Sequence, residues 1–284
     1  MEGTLDGGVF ERSGLAALAD LDKPEWRKLF ALLEREQDKF LAKESQFRSP
    51  HYTWPRDPLH TWSRVWEYPY AFHHLRRLRQ SLPERARVVD FGSGLTFLPF
   101  SLGRLGLHVT CVDVDPAAVR SVESAARCID AAPGKVDAVL AGPEGVPLAD
   151  GEAELVYCIS VLEHAVDPLK ELAEIARILR PGGTLILTID LDLQGNLALG
   201  VEARANLLRA VNRMFEWSMP CTTVHPAGLL TSNSGPFPCD EPRGFAGAHF
   251  WLRQLAKSLL GRERLIRPMW LAVEGFVLRR KHQV

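Results

Sequence analysis

Cysteine is scarce and scattered. The chain has five in 284 residues, Cys111, Cys128, Cys158, Cys221 and Cys239, an odd number with no Cys-x-x-Cys spacing. This suggests neither a disulfide framework nor a zinc site, so a reducing cytoplasm is the expected compartment. Long apolar runs are also missing, and none approaches the roughly 18 to 20 residues that a membrane span requires. Residues 1–30 hold no basic stretch followed by an apolar core, so neither export nor anchoring is expected. Net charge is close to nil: a formal value of -1 provides no global field to draw the chain to nucleic acid or to an anionic membrane.

What is present reads as an ordinary soluble globular protein. Hydrophobic residues make up 46% and charged residues 24%, over a length that can bury a sizeable core. Charge is uneven only near the end, where residues 241–284 carry nine Lys or Arg against Glu241, Glu263 and Glu274. That excess suits a solvated basic face, or a surface for an acidic acceptor.

The first dozen residues are polar and Gly-rich, and are expected to be loose. From Pro24 to about residue 47, Trp26, Leu29, Phe30, Leu33, Phe40 and Leu41 recur among charges as an amphipathic helix, with Pro24 suited to its first turn. Prolines in 49–60 demand extended chain. A dense aromatic segment overlaps this stretch and runs past it: His51, Tyr52, Trp54, Trp62, Trp66, Tyr68, Tyr70, Phe72, His73 and His74. Helical spacing puts Trp62, Trp66 and Tyr70 on one face, which suits core packing. The position of the segment just before the first strong strand also suits a lid.

From residue 87 to 190 strands and helices alternate at short intervals, as in a parallel sheet covered on both faces. Strands are predicted over 87–91, 108–114, 136–141, 155–160 and 184–190, and helices over 95–104, 116–129 and 168–179. The last helix is punctuated clearly: Asp167 is placed to cap it, Pro168 starts it, and Pro181-Gly182-Gly183 follows it. Further on, a helix over 201–217, a loop-rich insertion over 220–245, a helix over 248–260 and a strand over 270–280 complete the reading. The expected architecture is α/β, a Rossmann-like three-layer sandwich around a mostly parallel seven-stranded sheet. Residues 1–80 are expected to form an N-terminal helical extension and aromatic lid. Residues 81–284 are expected to form the main domain, with an insertion near 195–250.

The most informative stretch is Val88-Val89-Asp90-Phe91-Gly92-Ser93-Gly94, a buried strand that ends in an acid and turns through Gly-x-Gly. Such a turn lets backbone approach a ligand at a helix N-terminus. The next strand ends at Asp113, where a carboxylate can reach a ribose diol. Together they point to a cofactor carrying adenosine. A pyrophosphate needs small residues through the following turn, yet this chain has Phe97, Leu98, Pro99 and Phe100 there, which fits a smaller ligand without phosphates.

On these motifs, residues 87–190 resemble class I S-adenosylmethionine-dependent methyltransferases of the small-molecule type. Asp90 to Gly94 resembles the family's first motif and Val112-Asp113-Val114 its second. Val161-Leu162-Glu163-His164, Pro168 and Leu179-Arg180-Pro181-Gly182-Gly183 are similar to its fourth strand exit and the turn that follows. The resemblance implies S-adenosyl-L-methionine as cofactor, with Asp90, Gly92, Ser93 and Gly94 on the methionine side. It also implies Asp113 on the ribose hydroxyls, Val114 against adenine and Ser160 beside the ligand. Two departures stand out. Thr96 replaces a third glycine, and Gly142-Pro143 stands where an Asp-Ala pair is usual, leaving Glu144 as the nearest acid for the adenine amino group. Upstream, Arg64 is a candidate partner for the methionyl carboxylate, and Glu67 or Tyr68 for shaping the donor pocket; a surface salt bridge explains Arg64 and Glu67 equally well.

Methyl transfer to a hydroxyl calls for a base working near neutral pH, and histidine suits that task. His164, at a strand's carboxyl end, is the leading candidate; packing or capping near Asp167 is its bland alternative. His73, His74 and His225 are weaker candidates. Glu163-His164 matches part of the arrangement that binds a divalent cation in some ubiquinone-type O-methyltransferases. Ser160 lacks the further acid, so no metal is expected. The acceptor is expected to be an oxygen or nitrogen of a small metabolite or glycan. An RNA or protein methyltransferase, or a noncatalytic binder of the same cofactor, are the alternatives. Oligomeric state is not legible.

Overall fold

The computed structural model describes residues 8–54, 56, 58–84, 86–194, 199–239 and 270–282. The helix expected over 248–260 and most of the basic tail lie outside the described residues.

Among the described residues eight strands form one sheet: β1 (Gly14–Leu15), β2 (Arg87–Phe91), β3 (His108–Asp113), β4 (Lys135–Leu140), β5 (Ala153–Ile159), β6 (Leu179–Asp192), β7 (Phe215–Trp217) and β8 (Leu271–Arg280). Their order is β1-β8-β6-β5-β2-β3-β4, with β7 also paired to β8. Strands β2 to β6 run parallel, and β8 lies antiparallel to β6, β1 and β7. Helices α1 (Pro24–Leu41), α2 (Arg64–Leu78), α3 (Leu98–Arg104) and α4 (Pro116–Cys128) bury their apolar residues in a core on one face. Helices α5 (Pro168–Ile178) and α6 (Val201–Met214) do so on the other. The result is the three-layer α/β arrangement expected for apolar strands such as β2, whose Val88 and Val89 are fully buried.

Local chemistry accounts for the helix ends. The Asp167 carboxylate accepts from the amides of Leu169 and Lys170, each at 3.1 Å, which satisfies orphan donors at the start of α5. Asp115 caps α4 in the same way through the Ala117 amide at 2.7 Å. Pro69 lies inside α2 and has no N–H to offer the Val65 carbonyl one turn earlier. The Trp26 indole of α1 donates to that carbonyl at 2.9 Å instead, so the missing donor becomes a tie between two helices. Helix α2 packs closely on β8 because position 275 is glycine: a Cβ there would fall 2.7 Å from the Tyr70 ring and 2.8 Å from Trp66.

Two expectations need correction. The N-terminal residues that are described are not loose. Phe10 is buried, β1 adds an eighth strand, and Arg12 bonds Asp20 at 2.5 Å while Trp66 Nε1 reaches the same carboxylate at 2.9 Å. A two-residue strand leaves no periodicity to read. The second correction concerns residues 179–183, expected to turn. They begin the 14-residue β6, with a register shift against β5 between Ala153 and Leu155 absorbing the irregularity.

Candidate active site

Strand order reverses between β2 and β5, where open α/β sheets form their ligand crevice beyond the carboxyl ends. The turn leaving β2 lines it. Gly92 and Gly94 have φ of 73° and 54°, and a Cβ on Gly92 would come within 2.5 Å of Val161 at the β5 exit. Only glycine fits both the backbone and the space. The amides of Gly92 and Ser93 both donate to the Val112 carbonyl, and the Ser93 hydroxyl donates to the Gly94 carbonyl at 3.2 Å. Asp113 holds the turn to β3: its carboxylate accepts from Gly94 N and Asp115 N, each at 2.8 Å. Each oxygen retains a lone pair for a ligand hydroxyl.

Asp90 stands in register with Cys111 on one side and Tyr157 on the other. Burial pushes its carboxyl up to about 8, tempered by the Tyr157 hydroxyl and reinforced by the charge of Asp113. That hydroxyl is itself buried and has no hydrogen-bond partner among the described residues.

At the far end of the crevice the surface is open and apolar. Val114 is 78% exposed, Leu140, the register partner of Asp113, is 45% exposed, and nothing lies within 4 Å of a Cβ built on Gly142. Glu144 is exposed in a tight turn closed by reciprocal 3.0 Å bonds between Gly142 and Gly145. No contact brings Glu144 to the other candidates.

The β5 and β6 exits carry a different chemistry. Glu67, fully buried on α2, accepts from the hydroxyls of Ser160 at 2.7 Å and Thr188 at 2.5 Å through one oxygen, and from Arg64 at 2.5 Å through the other. The Arg64–Glu67 pair is therefore not a surface salt bridge. Burial opposes the charge on Arg64, and Glu67 outweighs it, raising the guanidinium's affinity for its proton. Ser160 has φ 48°, a left-handed conformation rare for serine, fixed by its amide on the Thr188 carbonyl and its hydroxyl on Glu67. Asp190 lies 3.5 Å from the same hydroxyl, and its amide donates to Glu163 Oε1 at 2.9 Å. Glu163 Oε2 is buried without a partner. Burial, then the charge of Glu67, lifts the Glu163 carboxyl to about 7 and moves Asp190 well upward. Tyr68 is buried edge-on to Phe97 at 5.6 Å, its phenol pushed upward by burial.

His164 is exposed on a short turn, its ring 6.5 Å from that of Trp54, which is 58% exposed. Burial of part of the ring, then Arg64, lowers its proton affinity. The other histidines have structural partners: His73 with Glu11 at 3.0 Å, His74 with the Phe10 carbonyl at 2.9 Å, and His225 with Ala227 N. Among the described residues no three His, Cys, Asp or Glu side chains converge to hold a metal ion.

Sequence reasoning missed two features. Tyr52, far upstream, places its hydroxyl 2.8 Å from Leu95 N and 2.6 Å from where a Gly94 Cβ would stand. Its segment is moored by Ser49 N on Ser121 of α4 and by Arg48 over the Tyr52 ring at 5.0 Å. Asp190 and Thr188 joined the site without any motif. Glu67, an acid among aromatics, was the one available signal.

Residues 89–187 match the methyltransferase domain family. Together with the fold, this match supports a class I S-adenosylmethionine-dependent methyltransferase domain over those residues. Among curated relatives, the ubiquinone biosynthesis O-methyltransferase of Xanthomonas campestris pv. campestris is 33% identical over 162 residues, covering 55% of this chain and 60% of its own. The chain thus spans about 60% of the length of that relative. The geranyl diphosphate C-methyltransferase of Streptomyces coelicolor A3(2), crystallised with Mg2+, geranyl diphosphate and S-adenosyl-L-homocysteine, superposes with a TM-score of 0.51 at 13% identity, covering 91% of this chain and 98% of that one. The [4+2]-cyclase SpnF gives a TM-score of 0.50 at 16% identity, covering 89% and 97%. At such identities the likeness is one of fold, and a cyclase among the neighbours means that fold alone does not fix the chemistry. Among the described residues no helix is long and apolar enough to cross a membrane.

Proposed function

We propose that the chain transfers a methyl group from S-adenosyl-L-methionine to an oxygen or nitrogen of a small molecule, metabolite or glycan. The observation that carries this reading is the graded crevice over β2, β3 and β5. A glycine turn pinned by Asp113 lies at its centre, bare apolar surface at Val114 and Leu140 at one end, and a partly buried guanidinium at the other.

These residues fit the cofactor. Val114, Leu140 and the open space at Gly142 suit adenine, with Glu144 the nearest acid. Asp113 suits the ribose diol, and Asp90 with the Gly92-Ser93-Gly94 turn suits the methionyl amine. Arg64 suits the methionyl carboxylate, with Glu67 fixing its direction, while Ser160 and Tyr68 wall the reacting end. Bound there, S-adenosyl-L-methionine supplies a methyl group activated by a sulfonium, which leaves its bond pair on sulfur. The chain's task is then to orient the acceptor, exclude water and receive a proton. His164 is our candidate for that proton, because it stands exposed on the turn after β5 and an imidazole can accept a proton near pH 7.

The test is incubation of the chain with methyl-labelled S-adenosyl-L-methionine and a small-molecule cell extract, followed by mass analysis. Label in a small molecule is the expected result. Label found only in RNA or protein, or nowhere, contradicts it.

A further inference from the structure

Three carboxylates, Glu67, Glu163 and Asp190, share the β5 and β6 exits with one cation, Arg64. Glu67 is satisfied by three donors. Among the described residues no basic side chain pairs with Glu163 or Asp190, and Glu163 retains a buried oxygen with no donor. An orphaned buried carboxylate oxygen is costly unless a donor arrives to meet it. The cluster adjoins the glycine turn, because Val161, next to Ser160, packs against Gly92. It therefore lies on the side of the switch point away from Asp113 and Val114, where the reacting end of the donor is proposed to lie.

We infer that Glu163 and Asp190 form the acceptor subsite and receive a cationic nitrogen, making the acceptor an amine rather than an alcohol. This rests on the donor reading above. The acceptor arrives as an ammonium group, displaces to solvent the protons that burial holds on the two carboxyls, and donates to the free oxygen of Glu163 and to Asp190. Glu67 keeps Arg64 turned away from the incoming cation through the 2.5 Å ion pair. The proton lost from the ammonium passes to the imidazole of His164, the base proposed above on the turn that follows β5, which leaves the nitrogen lone pair free to receive the methyl group. An alcohol would place no positive charge against the two carboxylates and would leave the Glu163 oxygen without a charged donor.

The test needs no knowledge of the acceptor. In sinefungin a carbon bearing an amine replaces the sulfonium and its methyl group, so its extra cation stands where the methyl group is transferred. Calorimetry of the 284-residue chain with S-adenosyl-L-homocysteine and with sinefungin is expected to give sinefungin an advantage of about tenfold or more, the range of a charge-assisted hydrogen bond. Glu163→Gln and Asp190→Asn, both isosteric, are expected to bring the two affinities within about threefold of each other while S-adenosyl-L-homocysteine binds as before. Equal affinities in the unmodified chain overturn the inference without any variant. So does an advantage that survives both substitutions, or an equal loss for both ligands, which would place the carboxylates on the methionyl amine. Failure of both ligands to bind overturns the donor reading as well, whereas binding of S-adenosyl-L-homocysteine without a sinefungin advantage overturns this inference alone.

Discussion

The two ends of the crevice are built from different materials. From the centre to the end we assign to adenosine, backbone does the shaping: two glycines with positive φ, amides turned onto Val112 and Asp113, and bare Val114 and Leu140. At the end we assign to the reaction, side chains from α2, β6 and the β5 exit meet in a network in which Glu67 alone takes three hydrogen bonds. The first draws on β2, β3 and β4, which follow one another along residues 87–140. The second needs residues 93 and 121 positions apart in the chain to meet, so it exists only once the layers have assembled.

That difference gives a set of tests, starting with the largest expected effect. His164→Ala should lower methyl transfer by about 100-fold or more, as expected for loss of a general base, while binding of S-adenosyl-L-homocysteine by calorimetry stays level. Full turnover would remove His164 from the chemistry. Glu67→Ala should strike the reacting end alone. It strands Arg64 and two buried hydroxyls, and breaking a buried pair of this kind costs about 3 to 5 kcal/mol, read as a loss of denaturant stability. A loss below about 1 kcal/mol would mean that the network is solvated after all. Asp113→Ala should do the reverse, weakening binding of S-adenosyl-L-homocysteine by about tenfold to 100-fold, the range of one or two lost hydrogen bonds, with a smaller effect on melting.

The pH response should involve both ends. Asp90 and Glu163 hold their protons to about 8 and about 7 in the folded chain, above their ordinary carboxylate values. Between roughly pH 4 and 8 the folded state therefore binds more protons than the unfolded state, so stability should fall as pH rises through that window. Asp90→Asn should flatten the upper part of the fall in thermal melts taken from pH 5 to 8. A profile that rises with pH in both proteins would contradict the burial argument. The smallest effect is expected from Tyr52→Phe, which removes the acceptor of the Leu95 amide and should cost about 1 kcal/mol in melting, with a few-fold loss in affinity for S-adenosyl-L-homocysteine.

The same contrast explains what the sequence disclosed. Strand β2 matches its predicted span residue for residue, and α5 was marked at its start by Asp167 and Pro168, because these signals are local. The glycine turn and Asp113 were legible for the same reason. Strand β1 was not, since a two-residue pairing with β8 depends on the clasp formed by Arg12, Asp20 and Trp66. Trp66 and Tyr70 proved to be core on α2, as helical spacing suggested, and Trp62 is buried just ahead of that helix, while Trp54 from the same aromatic run stands exposed beside His164. Periodicity could separate neither Tyr52 nor Trp54 from its buried neighbours. Asp190 looked like the end of a strand, and only the approach of α2 turned it into part of a site.

The central claim is that the crevice between Asp90 and Asp113 accepts an adenosyl sulfonium or its product. Titrating the unmodified chain with S-adenosyl-L-homocysteine, and separately with a nicotinamide dinucleotide, addresses it most directly. Saturable one-to-one binding of the former and none of the latter is the expected result; binding of the dinucleotide alone, or of neither, would contradict it.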